Sequence, residues 1–559
     1  MASNERFYDI IAFGDEIPGA FAAISAAREY RRRTKKYPRV LLMSKCNLQE
    51  GIGGHLVRGC LGYLDRTQLD SNFRRTLGLD PFGDPSAIYK EFLQKVGVVT
   101  VGLDPCKAHT VLKQMLSDAG VDTLSNVEII SVTKESQKIV SITTSKETIY
   151  YAQQFIDATV NAELAQAAGV VKLKGFEGIG LPNSELPVTL VFETQGLTVR
   201  RLKEIEYSYL KRFANPADTE AQKFLLHAAG FDDKLAEQLR REMIDENGNL
   251  KTLWAGKDYI DVRSPALSVA YHSFRGSKFS FAETGVILDE GNIAVLSEDK
   301  LCWNSLLFAV TANEAETLAR GGAKPTPKML KEMASVTTWL KSLGANSVTP
   351  ASEIYIRHAG NITGVVEPLA GEKMLKGGVS PSEALASFAY HFDVRGGIPG
   401  IGERAMAQGW SQSLNFQPPI FNIGIQHALI KDIPNLAVVS PSSGFEGLAP
   451  AAGRICEFNA AVGQGVGIAA VIAILNNRNL ADISNIEVRK VLVETRQLPR
   501  IFGFPKTAEA NRLAEFESRL RPKIEVVENL SSENRSEEKE VYSVKAEEES
   551  IVIPMTTKL

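Results

Sequence analysis

Residues 7–28 restrict the fold more than any other stretch. The apolar run Ile10-Ile11-Ala12-Phe13 stops at Gly14, and five residues later Gly19 opens an Ala-rich segment with helical spacing. This order reads as strand, tight turn, helix. Such a unit aims backbone N–H groups and the positive end of a helix dipole at a bound anion. In dinucleotide folds that anion is a pyrophosphate. Gly14, Glu16, Pro18 and Gly19 are the loop's candidates for the contact. The full fingerprint has a glycine two places after the first, where backbone and phosphate come close. Here that place is Glu16. A carboxylate beside a diphosphate is unfavourable unless it swings outward or finds a cation.

The other bounds are broad. A chain of 559 residues, 44% hydrophobic and 23% charged, can build two or more layered domains. A net charge of −3 gives no reason to expect nucleic acid or an anionic membrane as partner. No basic, aromatic-interleaved patch stands out, which disfavours an RNA-modifying role. Cys46, Cys60, Cys106, Cys302 and Cys456 are scattered, with no CxxC pair and no metal-ligand cluster. They read as free thiols in a reducing cytoplasm. The first residues carry no apolar signal core, and the apolar run 460–475 is short and Gly-rich for a membrane span.

Further along, residues 40–43 read as a second buried strand, parallel to the first. At its end a ribose-binding acid is usual, and this chain has Ser44 and Lys45. Gly53 and Gly54, followed by His55, would let the backbone run flat against a planar ligand. Residues 105–125 show helical periodicity, with Gly120 stopping the helix. Alternation over 127–148 predicts a meander. Residues 155–159, closing on Ala158 and Thr159, read as another buried strand passing into a helix at 162–168. Residues 282–288 read as a strand, 327–343 as an amphipathic helix, and 453–475 as one nearly apolar helix.

Residues 155–169, FIDATVNAELAQAAG, resemble the "IDATG-D-x-D-LA-x-x-AG" segment of the FAD-dependent oxidoreductase family with a glutathione-reductase-like flavin domain. Residues 8–28 are similar to that family's opening, and Gly53-Gly54 to its double glycine. Asn435 to Leu475 is similar to its "NLLVAGR" and "R-x8-GQ-x2-G" close, with Arg454, Gly463 and Gln464 at the matching spacing and Ser440 in place of the usual glycine. The resemblance implies an α/β fold. A Rossmann-like FAD-binding domain, with parallel sheet, helices and β-meander, would carry an inserted α+β cap. Residues 1–180 would form the first part of the flavin domain, 181–395 the cap, 396–505 the return segment, and 506–559 an acidic, disordered tail.

The cofactor implied is FAD, and the activity is hydride transfer between a small organic substrate and flavin N5. His391 and His427 are candidate acid–base groups, with Asp393 as orienter and Glu446 in the loop near the flavin edge. The partner is a small-molecule substrate rather than nucleic acid or membrane, and assembly into a homo-oligomer stays open. Glu16, Ser44 and Val160 each depart from the family at an adenine-side contact. A second reading is therefore a non-catalytic relative that keeps the fold, binds FAD weakly or not at all, and acts as a binding or assembly protein.

Overall fold

The computed structural model describes residues 4–520, apart from 396, 408 and 410–414. At its centre lie five parallel strands in the order Leu436–Val438, Gln154–Asp157, Ile10–Phe13, Val40–Met43, Val121–Leu124. The three middle strands and Leu436–Val438 are buried along their whole length. That is why they read as continuous apolar runs rather than alternating ones. A meander of Ile129–Glu135, Lys138–Thr144 and Ile149–Tyr151 stands beside the sheet, with Glu5–Phe7 added at its edge. The helix Pro105–Ala119 ends at Gly120, at φ 75°.

Two helices cover the sheet from opposite ends of the sequence. Ile17–Thr34 begins with Pro18 in its first turn and ends at Lys35 in the left-handed conformation. The 20-residue helix Cys456–Leu475 is buried over nearly all its length. It is long and apolar enough to cross a membrane, and it is spent instead as a core helix. A turn apart on it, Gly463 and Gly467 face the first helix. A Cβ on either would collide with the backbone carbonyl of Pro18 or Ala22. Gly463, expected at the cofactor, thus serves helix packing. Gln464 donates to Gln497 Oε1 at 2.7 Å, away from the strand ends. Gly463→Ala is expected to cost about 1–3 kcal/mol by overpacking. An unchanged urea midpoint would remove that packing role.

The cap is built on a second, antiparallel sheet. Its order is Trp254–Ala255, Tyr259–Asp261, Val286–Val295, Lys300–Phe308, Phe192–Gln195, Ser347–Pro350. Helices Val199–Ala214, Ala266–Arg275 and Pro327–Ser342 cover it, and its apolar core draws on residues between 188 and 359. The strand Ala386–Ala389 already belongs with the parallel-sheet core. A bulge between Leu288 and Asn292 breaks the ladder, and Gly291 lies there against Ser305. It turns Asp289 toward Arg395, whose Nε donates to it at 2.7 Å.

Three expectations change. Residues 282–288 do not form one strand: Phe281–Thr284 is a short helix before the strand Val286–Val295. The expected helix over 453–475 is broken at Arg454 and Ile455 into Pro450–Gly453 and Cys456–Leu475. The tail expected from 506 begins later, because Thr507–Leu520 is a helix that buries Leu513 and Phe516. The disorder expected beyond it lies outside the described residues.

Candidate functional site

The loop after Ile10–Phe13 meets the double-glycine segment at the carboxyl ends of the strands, where open α/β sheets take their ligands. Its electrostatics are already satisfied from within. Burial works to raise the Asp15 carboxyl, but the Arg58 guanidinium overrides it and holds the group below the ordinary carboxylate range. Arg58 Nη1 donates to Asp15 Oδ2 at 2.5 Å and Nη2 to Oδ1 at 3.0 Å. Arg58 Nε donates to Glu353 Oε1 at 2.7 Å, and all three side chains are buried. Asp15 also accepts from Ser44 Oγ at 2.7 Å and from the N–H groups of Gly53 at 3.1 Å and Gly54 at 3.4 Å.

Glu16 completes the closure. Its carboxylate accepts from His55 N at 3.2 and 3.3 Å and pairs with His55 Nδ1. It lies against Gly54, where no side chain stands in its way. It is also the residue before the first helix turn, so it faces the positive dipole end. Two carboxylates of the loop itself thus stand where a helix start, three backbone N–H groups and an arginine converge.

The other expected cofactor-binding residues are likewise engaged. Lys45 Nζ donates to Glu163 at 2.6 Å and to the Ala319 carbonyl at 2.5 Å, so the cap helix Ala312–Arg320 closes over this edge. Thr159 donates its hydroxyl to Asp157 at 2.7 Å and accepts from Glu163 N, capping its own turn. Burial pushes the Asp157 carboxyl up to about 6. Ala158 fills the space opposite Gly14 and Gly19, where any Cβ would come within 2.5–2.7 Å of it or Thr159. Ser440 accepts from Ser442 N at 3.1 Å in a self-contained serine turn.

A second place is open. Between the parallel sheet and the cap lies a cavity of about 430 Å³, lined by Tyr355, Arg357, Asp393 and Arg454 among others. Arg454 donates through Nη2 to Asp393 Oδ2 at 2.5 Å and through Nη1 to Tyr355 Oη at 2.6 Å. Burial works to raise Asp393, and Arg454 overrides it and holds the carboxyl low. His391 reaches Gln68 Oε1 at 3.0 Å through Nδ1, and its Nε2 is 4.0 Å from Asp393. Burial pushes the Asp65 carboxyl up, despite Arg454 nearby. His55 stacks on Tyr355 with centroids 5.1 Å apart, so side chains run without a break from Glu16 to this cavity.

Of the four expected catalytic residues, the cavity brings together His391 and Asp393, beside Arg454. His427 is elsewhere: it is buried against Phe445 and Phe458, and burial pushes it down to about 3. It is a neutral core histidine. Glu446 is exposed and lines a different cavity with Asn361 and Phe176. Asp15, Arg58, Glu353, Tyr355 and Arg357 were not among the candidates. The available signal was Arg58 itself, a cation inside a run of glycines and apolar residues.

A family model described as "FAD dependent oxidoreductase" matches residues 9–492. No curated protein matches the chain. Solved structures that resemble it include L-proline dehydrogenase from P. horikoshii, at 11% identity and TM-score 0.34, covering 88% of this chain and 100% of that one. The myxobacterial chondrochloren halogenase matches at 10% identity and TM-score 0.34, covering 92% and 90%. The halogenase PltM matches at 11% and TM-score 0.36, covering 88% and 73%. The assignment rests on the family model, and it supports FAD as the cofactor. The cradle itself does not fit that group in this arrangement: the Asp15 and Glu16 carboxylates occupy the start of the first helix and are tied to Gly53 and His55, and Ser44, Gly53 and Gly54 are buried.

Proposed function

This chain belongs to the FAD dependent oxidoreductase family, and from that premise we propose that it is a non-catalytic relative that binds a small polar molecule in the charged cavity. The observation that carries this reading is the pair of internal carboxylates at the start of the first helix, Asp15 and Glu16, held there by Arg58 and by the N–H groups of Gly53, Gly54 and His55. A diphosphate would have to displace Asp15 from Arg58 and Glu16 from His55. The Asp15 charge would then need solvation in a buried place, at a cost of several kcal/mol.

The cavity keeps what binding needs. It is roomy for a metabolite, its walls carry fixed cations and tyrosines, and its side chains are held by one another rather than by solvent. A second reading, FAD-dependent oxidation or reduction of a small organic substrate in the same cavity, is favoured by the family match over residues 9–492.

One preparation separates the two. The purified chain is expected to be colourless, with no flavin absorbance before or after incubation with FAD and desalting. Added FAD is expected to leave its melting point unchanged, whereas a true ligand at 100 times Kd adds about 2.7 kcal/mol. Stoichiometric flavin released by heat or acid would overturn the binding-protein reading in favour of the second.

A further inference from the structure

The cavity's charges do not balance in pairs. Arg454 is held by Asp393, and Arg395 by Asp289. Arg357 has no such partner: among the described residues no carboxylate lies within ion-pair distance of it. The residue is 1% exposed, and its guanidinium sits over the Tyr355 ring at 4.7 Å and donates to the Pro187 carbonyl at 2.7 Å. Burial pushes it down to about 10, so its charge is kept at a cost. Asp393 acts on it only from beyond ion-pair distance and is already paired with Arg454, and a buried cation matched so poorly is unfavourable unless something supplies a counter-charge.

Two further wall residues are left with unmet hydrogen bonds. Arg454 Nε is a buried donor with no acceptor, and Asn304 Oδ1 is a buried acceptor with no donor. Arg454 and Asn304 are 3% and 4% exposed, and both line the cavity with Arg357. A ligand that answers all three carries an anionic acceptor and a hydrogen-bond donor. Carboxylate suits guanidinium by shape and charge, and a hydroxyl supplies the donor.

We propose that the cavity takes a small hydroxycarboxylic acid, its carboxylate neutralising Arg357 and its hydroxyl donating to Asn304. This rests on the reading of the cavity as the working site, and it holds whether or not flavin is present. Calorimetry and thermal melts with glycolate and L-malate test it, against malamide and against sodium chloride of equal ionic strength.

Both acids are expected to raise the melting point beyond the salt control, and L-malate to give a measurable heat of binding. Malamide, which lacks the charge, is expected to do neither. Arg357→Met is expected to weaken L-malate at least tenfold, and Asn304→Ala several-fold. Should Arg357→Met fail to fold, the malamide comparison and Asn304→Ala still decide. Neither acid exceeding chloride, malamide binding as well as L-malate, or Arg357→Met binding like the parent would each overturn the proposal. A yellow protein bears on the binding-protein reading alone and leaves this result standing.

Discussion

Arg58→Met is expected to lower the unfolding free energy by about 3–5 kcal/mol at neutral pH, the cost of stranding a buried charge. Two carboxylates lose their partner at once, since Asp15 and Glu353 share this guanidinium. The pH dependence supplies a sharper signature. In the parent, Asp15 titrates below its ordinary value when folded. Its contribution is therefore complete above the unfolded pKa and fades only as pH falls through the lower folded one.

Without Arg58, only the hydrogen bonds from Ser44 and Gly53 still oppose burial, the largest influence on Asp15, and its folded pKa is expected to move above the unfolded one. The sign then reverses, and the variant gains stability on going from pH 7 to pH 5. Denaturant melts at both pH values check this. A variant as stable as the parent at pH 7, or one that loses stability on acidification in parallel with it, would show the buried triad to be unimportant.

Glu16→Gly is expected to raise FAD affinity over the parent by about 10–100-fold, or about 1.4–2.8 kcal/mol. The change restores a glycine at the fingerprint's middle position, frees His55 N and removes a negative charge facing the phosphates. Asp15 stays on Arg58, so the gain is partial. Flavin fluorescence quenching across a titration measures it. Equal FAD affinities in parent and variant would mean that Glu16 does not keep the nucleotide out.

The scaffold was readable in the residues because it obeys short-range rules. Four-residue apolar runs, a glycine after Phe13 and a helix-starting Pro18 are all local signals. Even the departure at Glu16 could be seen. Its consequence could not, because the partners are far apart in the chain: Arg58 comes 43 positions after Asp15, and Glu353 another 295 after Arg58. No periodicity carries such a pairing. The cavity is similar. Arg454, His391 and Asp393 could be proposed from spacing and residue type, whereas Arg357 acquires its meaning only when, among the described residues, none of the cavity's aspartates is found at ion-pair distance from it.

His427 misled for the opposite reason. A histidine near a Gly-rich loop carries no mark of being packed between phenylalanines. Gly463 was noticed for its spacing, but its contact is the Pro18 carbonyl. Family-like spacing survives in this chain where packing needs it, not only where a cofactor would.

That helix-to-helix contact also sets the order in which the protein can be completed. The free edge of Gln154–Asp157 is closed by Leu436–Val438, and the exposed side of the first helix is covered by Cys456–Leu475. During synthesis the strand edge stays bare until the ribosome has passed residue 438, and the helix until it has passed residue 475. At roughly 5–20 residues per second that is on the order of 15–60 s of exposure for the strand and 20–90 s for the first helix. A nascent chain of this kind carries bare apolar surface, open to aggregation, while its last core pieces are still being made.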